Sequence, residues 1–173
     1  MSAPRGSAVA PPAAWLRASL GRFATGVAVV TFTTLDDDGW QHRRGITVNS
    51  FTSVSMDPPL VLVSLQRAVQ SHDLLRGRPF SVNVLGAEQR DLALRFAGKP
   101  QPDLARTPSW IEGEVAPHLA GALVTFECTP WAEYDGGDHT LFLGRVERFE
   151  HRSGDALGFA FGAFTTIPEP PAG

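Results

Sequence analysis

One stretch limits this chain more than any other: Gly45-Ile46-Thr47-Val48-Asn49-Ser50-Phe51-Thr52-Ser53-Val54-Ser55, then Met56-Asp57-Pro58-Pro59, then the apolar run Leu60-Val61-Leu62-Val63-Ser64-Leu65. Residues 47–55 place six hydroxyl or amide side chains in a β-favouring context before the double proline stops the segment. A strand that only builds core alternates apolar with polar, and its polar positions tend to be charged to keep the outer face wet. Here the polar positions are small, neutral and able to donate as well as accept. Such a face suits a ligand that carries phosphate, hydroxyl and heterocycle edges.

The residues around it are organised by turns. Residues 13–24 carry Trp15, Leu16, Leu20 and Phe23 near the spacing of one helical face. Residues 27–34 read as a strand, Leu35-Asp36-Asp37-Asp38-Gly39-Trp40 as a hairpin turn, and the next strand runs into the opening motif. Residues 60–65 are apolar enough for a strand buried on both faces. Ser71 is placed as the N-cap of a short helix. Residues 80–85 read as a strand, and 88–97 as a helix with Gly98 as its C′ stop. Residues 99–117 look like a loop rich in proline. Two long strands follow at 122–134 and 140–152, and a last one at 156–164. Hairpin turns connect most of these strands. That predicts a mainly β fold, a closed antiparallel barrel with a few short helices, because closure removes exposed edges.

At 173 residues the expectation is one domain, residues 13–167, with tails at 1–12 and 168–173. The net charge of −3 gives no electrostatic case for nucleic acid. Cys128 is the only cysteine, so no internal disulfide can form, and it reads as a buried inert thiol. No apolar run approaches the ~18 residues of a membrane span, and the first residues lack a signal-peptide core. The expectation is a cytoplasmic protein with no membrane partner.

No GxGxxG, Walker A or HExxH pattern is present, so a nicotinamide cofactor would not sit on a Rossmann unit. Ser71-His72-Asp73 holds the three residue types of a hydrolase triad, yet a helix start explains Ser71 and Asp73 better. His42, His118 and His151 lack metal-ligand spacing, and no metal is expected. His139 follows the turn Asp135-Gly136-Gly137-Asp138 at the mouth of a strand. It is either a histidine capping the hairpin or a working residue.

Four landmarks in order resemble the short-chain flavin reductases, the FMN-binding split-barrel (Greek-key) reductases of two-component monooxygenases. They are Phe23-Ala24-Thr25-Gly26-Val27-Ala28-Val29-Val30-Thr31; the opening motif with Pro58-Pro59; Phe80-Ser81-Val82-Asn83-Val84-Leu85 with Gln89 and Phe96; and Gly137-Asp138-His139-Thr140 with Gly144-Arg145-Val146. The resemblance implies that Thr47, Val48, Asn49 and Ser50 meet the flavin ring and ribityl chain, with Ser53 adding a hydroxyl. It implies that Ser64, Gln66 and Arg67 lie where phosphate is held, with Ser71 and His72 placed for an anion. It sets His139 beside the nicotinamide. Implied further are FMN or FAD, NADH or NADPH as hydride donor, a homodimer, and a monooxygenase partner that receives reduced flavin.

The chain departs from that family at two places. An apolar strand leading to an Arg-Gly-Arg-Tyr-like end is replaced by Phe159-Ala160-Phe161-Gly162-Ala163-Phe164, and an Asp-Lys-Phe by Asp103-Leu104-Ala105. The altered end motivates an alternative on the same fold: a flavoenzyme that keeps its FMN and acts directly on a small organic substrate.

Overall fold

The structure is a computed structural model that describes residues 12–99 and 107–171. Most of the expected N-terminal tail, residues 172–173 and the Asp103-Leu104-Ala105 stretch lie outside the described residues. Glu169, in the segment expected as a tail, accepts a hydrogen bond from the Gly154 N–H and donates its own N–H to Asp155.

The fold is mainly β with a few short helices. Helix α1 (Ala13–Leu20) leads into the two-residue β1 (Thr25–Gly26). The helix is shorter than residues 13–24 predict, because Gly21 ends it and Thr25 is captured opposite Phe159. Strands β2 (Ala28–Leu35), β3 (Gln41–Val48), β4 (Thr52–Met56) and β5 (Pro59–Gln66) follow. Asp36 fixes the β2–β3 turn by accepting the N–H groups of Asp38 and Trp40 and meeting His42 at 2.8 Å.

Helix α2 is Gln70–Leu75, and Val69, not Ser71, occupies its N-cap with no side-chain bond. Ser71 is therefore inside the first turn, which corrects the expected cap. After β6 (Phe80–Val84) a single 3-10 turn (Ala87–Gln89) opens α3 (Arg90–Phe96). Gly98 ends α3 as expected. Its N–H meets the Arg95 carbonyl while Lys99 N–H reaches Leu94, the paired bonds of a Schellman cap. The region expected as a loop contains the small pair β7 (Trp110–Ile111) and β8 (His118–Leu119). The long hairpin β9 (Val124–Gly136) and β10 (His139–His151) comes next. The expected last strand is a hairpin, β11 (Ala156–Ala160) and β12 (Ala163–Ile167), turned at Phe161 and Gly162 with positive φ of 52° and 77°.

The main sheet has the order β3-β2-β6-β9-β10-β5-β4, antiparallel throughout, so β3 and β4 are the ends of the hydrogen-bonded ladder. One face of the curved sheet encloses a core of Val30, Phe32, Val63, Leu65, Phe80, Val82 and Phe142. Each such side chain contributes about 1.5–3 kcal/mol when fully buried. The other face of β2 and β6 builds a second core with Val29, Leu85, Ala93, Leu119 and Leu157, capped by α3 and β11. These two central strands are thus covered on both sides. Helix α3 reaches the sheet only because Gly45 has no side chain: a Cβ there would lie 2.5 Å from the Phe96 ring.

Beneath residues 115–119 the second face is polar, and its side chains are spent on backbone groups with one exception. Asn83 donates to the Val29 carbonyl (2.8 Å) and the Thr31 hydroxyl (3.0 Å) and accepts the Leu119 N–H (2.7 Å). Thr31 and Ser81 donate to the carbonyls of Pro117 and Ala116, and Glu127 accepts the N–H groups of Val115 and Ala116. His118 Nδ1 is the one buried side-chain atom there without a partner, 3.9 Å from Glu127.

Candidate functional site

Where the ladder ends at β3, the chain leaves a polar mouth facing β5. Residues 46–50 form one lip, Ser64, Leu65, Gln66 and Val69 the other, and His139 stands at the rim, enclosing a cavity of about 310 Å³. A second cavity of about 590 Å³ lies on the α3 side of the same strand, lined by Thr47, Val48, Asn49, Arg90, Lys99, Phe159 and Phe164 among others. Thr47, Val48 and Asn49 are therefore a wall common to two cavities. Because β3 pairs only with β2, its outer edge has no ladder partner, and its last residues, 46–48, line this mouth.

The expected site residues divide by what their side chains already do. Thr47 donates to the Ala93 carbonyl at 2.7 Å, which ties the wall to α3. Val48 is buried in the first core. Ser50 Oγ donates to the Ser64 carbonyl and accepts the Ser64 N–H, both at 3.0 Å, stitching the two lips together. Asn49 is exposed, lines both cavities, and has no hydrogen-bond partner among the described residues. Gln66 is likewise exposed on the opposite lip.

The remaining expected residues are not brought into the cavities. Ser53 is exposed on β4, at the far edge of the sheet. Arg67 is held by Asp135 at 3.0 Å, with its backbone N–H on the Asp138 carbonyl. Ser71 lines neither cavity. His72 is turned inward, only 4% exposed, with Nδ1 on Asp73 and Nε2 on the Thr140 hydroxyl, both at 2.8 Å. The Nε2 contact ties α2 to β10, the Nδ1 contact stays within α2, and the ring lines neither cavity.

His139 starts β10, opposite Gln66 of β5. Its Nδ1 lies 2.7 Å from the Asp138 carboxylate, which leaves Nε2 as the nitrogen available to a ligand. The hydrogen bond from His139, and then its charge, hold the Asp138 carboxyl below its ordinary value. Cys128 is fully buried, and burial, with Glu147 and Glu127 adding to it, pushes the thiol up to about 12. The inert reading of that cysteine agrees with its surroundings. Among the described residues no cluster of metal-ligating side chains occurs, and no helix is long and apolar enough to cross a membrane.

An open strand edge beside an unpaired amide, with a histidine nitrogen across the gap, is a donor and acceptor array for a planar heterocycle. Residues 20–168 match the description of a flavin reductase like domain. The chain belongs to the flavin reductase family. An NADH-dependent flavin reductase of a Rhodococcus species is 42% identical over 154 residues, 88% of this chain and 85% of that protein. The solved flavin reductase PheA2 superposes with a TM-score of 0.82 at 31% identity, covering 92% of this chain and all of the other. The reductase component of a bacterial two-component tryptophan halogenase, BorF, gives 0.77 at 40% identity, with the same coverage.

Within the family frame, sequence reasoning placed the wall but missed Arg90, Lys99, Phe159 and Phe164, which line the larger cavity. Only the aromatic pair left a signal, as the departure at the chain's end.

Proposed function

We propose that the protein is an NAD(P)H:flavin oxidoreductase whose reduced flavin serves a partner monooxygenase. The observation that carries this is the shared wall: an exposed, unpaired Asn49 on an open strand edge between two cavities, with His139 across the smaller one. The relatives' names, an NADH-dependent flavin reductase and a reductase component of a two-component system, support it.

The residues fit a flavin. Bound there, FMN or FAD supplies the hydride acceptor and NADH or NADPH the donor, and hydride transfer asks no nucleophile of the protein. The β3 edge and Asn49 orient the ring by hydrogen bonds that strengthen as negative charge develops on its pyrimidine edge. Leu65 and Val69 exclude water from the opposite lip. His139, held by Asp138, presents Nε2 to position the donor.

The finer architecture goes with this reading. We take the sheet as a split barrel that closes between β3 and β5, supported by the Ser50 to Ser64 hydrogen bonds that bridge them. We take the protein as a homodimer, supported by α1, which buries none of its residues and exposes Trp15, Leu16 and Leu20. A cytoplasmic setting, where the nicotinamide pool is replenished, belongs to the same proposal.

The test is an anaerobic absorbance titration of purified protein with FMN or FAD, followed by NADH and then NADPH. The expected result is bleaching of the flavin by a nicotinamide, with flavin affinity near micromolar, about −8 kcal/mol, so that it can leave. Flavin left oxidised by both donors would sink the reading. Flavin that survives gel filtration, with poor turnover of added free flavin, would instead favour the enzyme that retains its FMN.

A further inference from the structure

The larger cavity is one-sided in charge. Among the described residues its lining includes Arg90 and Lys99 and no carboxylate. Among the described residues Arg43, Arg67, Arg76, Arg145, Arg148 and Arg152 are each paired with an acidic side chain, while Arg17, Arg22, Arg44, Arg78 and Arg95 are not; of the unpaired arginines Arg90 alone lines this cavity. Arg90 has no such partner among the described residues. Its guanidinium lies 5.7 Å from the Phe164 ring centroid, over the aromatic floor that Phe159 and Phe164 form at an interplanar angle of 72°.

A guanidinium held against a ring is oriented without being neutralised, and it keeps its planar fork of donors for an anion. The wall of Thr47, Val48 and Asn49 belongs to the same cavity, so a ring resting on that wall lies in one cavity with Arg90 and Lys99.

We propose that Arg90, seated on Phe164 and assisted by Lys99, is the phosphate-binding rim for the phosphate-bearing arm of a nucleotide whose ring rests on Thr47, Val48 and Asn49. This rests on the flavin and nicotinamide reading of that wall. The chain's end supplies the floor and no cation, Phe161-Gly162-Ala163-Phe164, and the positive charge comes from the start of α3 and the residue after its cap. The chemistry recognised is a phosphate ester or diphosphate, which FMN, FAD and a nicotinamide dinucleotide all carry.

The experiment is calorimetric titration of the wild type, Arg90→Gln and Arg90→Lys with ADP, beside fluorescence titrations with riboflavin, FMN and FAD and steady-state kinetics with NADH. Arg90→Gln is expected to weaken ADP about tenfold while riboflavin affinity stays at the wild-type value. Arg90→Lys recovers part of the loss, since charge returns without the fork. Weakened FMN or FAD with an unchanged KM for NADH assigns the arm to the flavin. A raised KM for NADH at constant kcat, with flavin affinities unchanged, assigns it to the nicotinamide dinucleotide. The rim is overturned if Arg90→Gln binds ADP as the wild type does, or loses riboflavin as strongly as FMN. Should that variant not fold, the salt dependence of ADP binding to the wild type decides, and affinity insensitive to salt overturns the proposal. Wild-type protein that neither binds flavin nor lets a nicotinamide reduce it would overturn the parent reading instead, a result distinguishable from loss of the rim alone.

Discussion

Two asparagines on neighbouring parts of the sheet show opposite uses of one side chain. Asn83 of β6 is fully buried and makes three hydrogen bonds, to Val29, Thr31 and Leu119. Asn49, just past β3, is exposed and makes none among the described residues. Around Asn83 the hydroxyls of Thr31 and Ser81 and the carboxylate of Glu127 are also spent on backbone groups of residues 115–119. Around Asn49 an unpaired strand edge opens onto two cavities. Polar residues inside a protein hold it together when satisfied, and bind something else when left open in a concave place.

Asn83→Ala should produce the largest effect. It leaves the Leu119 N–H and the Val29 carbonyl buried without their partner, and a loss of about 3 kcal/mol in urea unfolding is expected. Flavin affinity per folded molecule should stay unchanged; a stability loss no larger than that of an exposed substitution would erase the contrast. Next comes Gly45→Ala, which drives a methyl to 2.5 Å from the Phe96 ring. Overpacking of this kind costs about 2 kcal/mol, and α3 should shift, so NADH kinetics deteriorate together with the melting temperature. A variant of wild-type stability would mean that α3 is not held by that contact.

At the open end of the comparison, Asn49→Ala should leave the urea midpoint in place and weaken flavin binding about tenfold, or about 1.4 kcal/mol. His139→Ala should lower kcat about tenfold with flavin affinity retained, as the donor-positioning role proposed for the ring requires. Equal effects of the two variants on flavin Kd would merge their roles. The smallest effect belongs to Asp138. Its carboxyl is held below the ordinary value of 3.8, so its pairing with His139 is complete above that value and is lost as pH falls through the lowered one. With its carboxylate in solvent, the pair should add nothing a thermal melt resolves at neutral pH. Asp138→Asn should shift only the acid side of the kcat profile, and an altered melting temperature at pH 7 would contradict this.

Much of this architecture is legible before folding. The Asp36 turn, the Gly98 stop, the buried β5 and the long β9–β10 hairpin all follow from local turn chemistry and periodicity. What stays hidden is where a small polar side chain sends its hydrogen bond. Thr47, Ser50 and Asn49 look alike in sequence. Yet the first is consumed by a carbonyl 46 residues away, the second by one 14 residues away, and only the third is open. His72 hides in the same way, because its partner Thr140 arrives from a distant strand. Arg90 carries no local mark of its setting, since Phe164, which orients it, comes 74 positions later (164 less 90).

Cys128 gives the fold one further property. A thiol that ionises at about 12 holds almost no thiolate at neutral pH, and the thiolate is the form that peroxide attacks. Reduced flavin meeting oxygen in solution yields peroxide, so a protein that releases it works in an oxidant of its own making. The sulfur most open to that oxidant among the described residues is the thioether of Met56, 90% exposed at the β4 edge. Prolonged aerobic turnover should therefore convert Met56 to its sulfoxide while Cys128 stays a free thiol by peptide mass spectrometry: the chain ages from its rim inward, and its single thiol is the last sulfur to be reached.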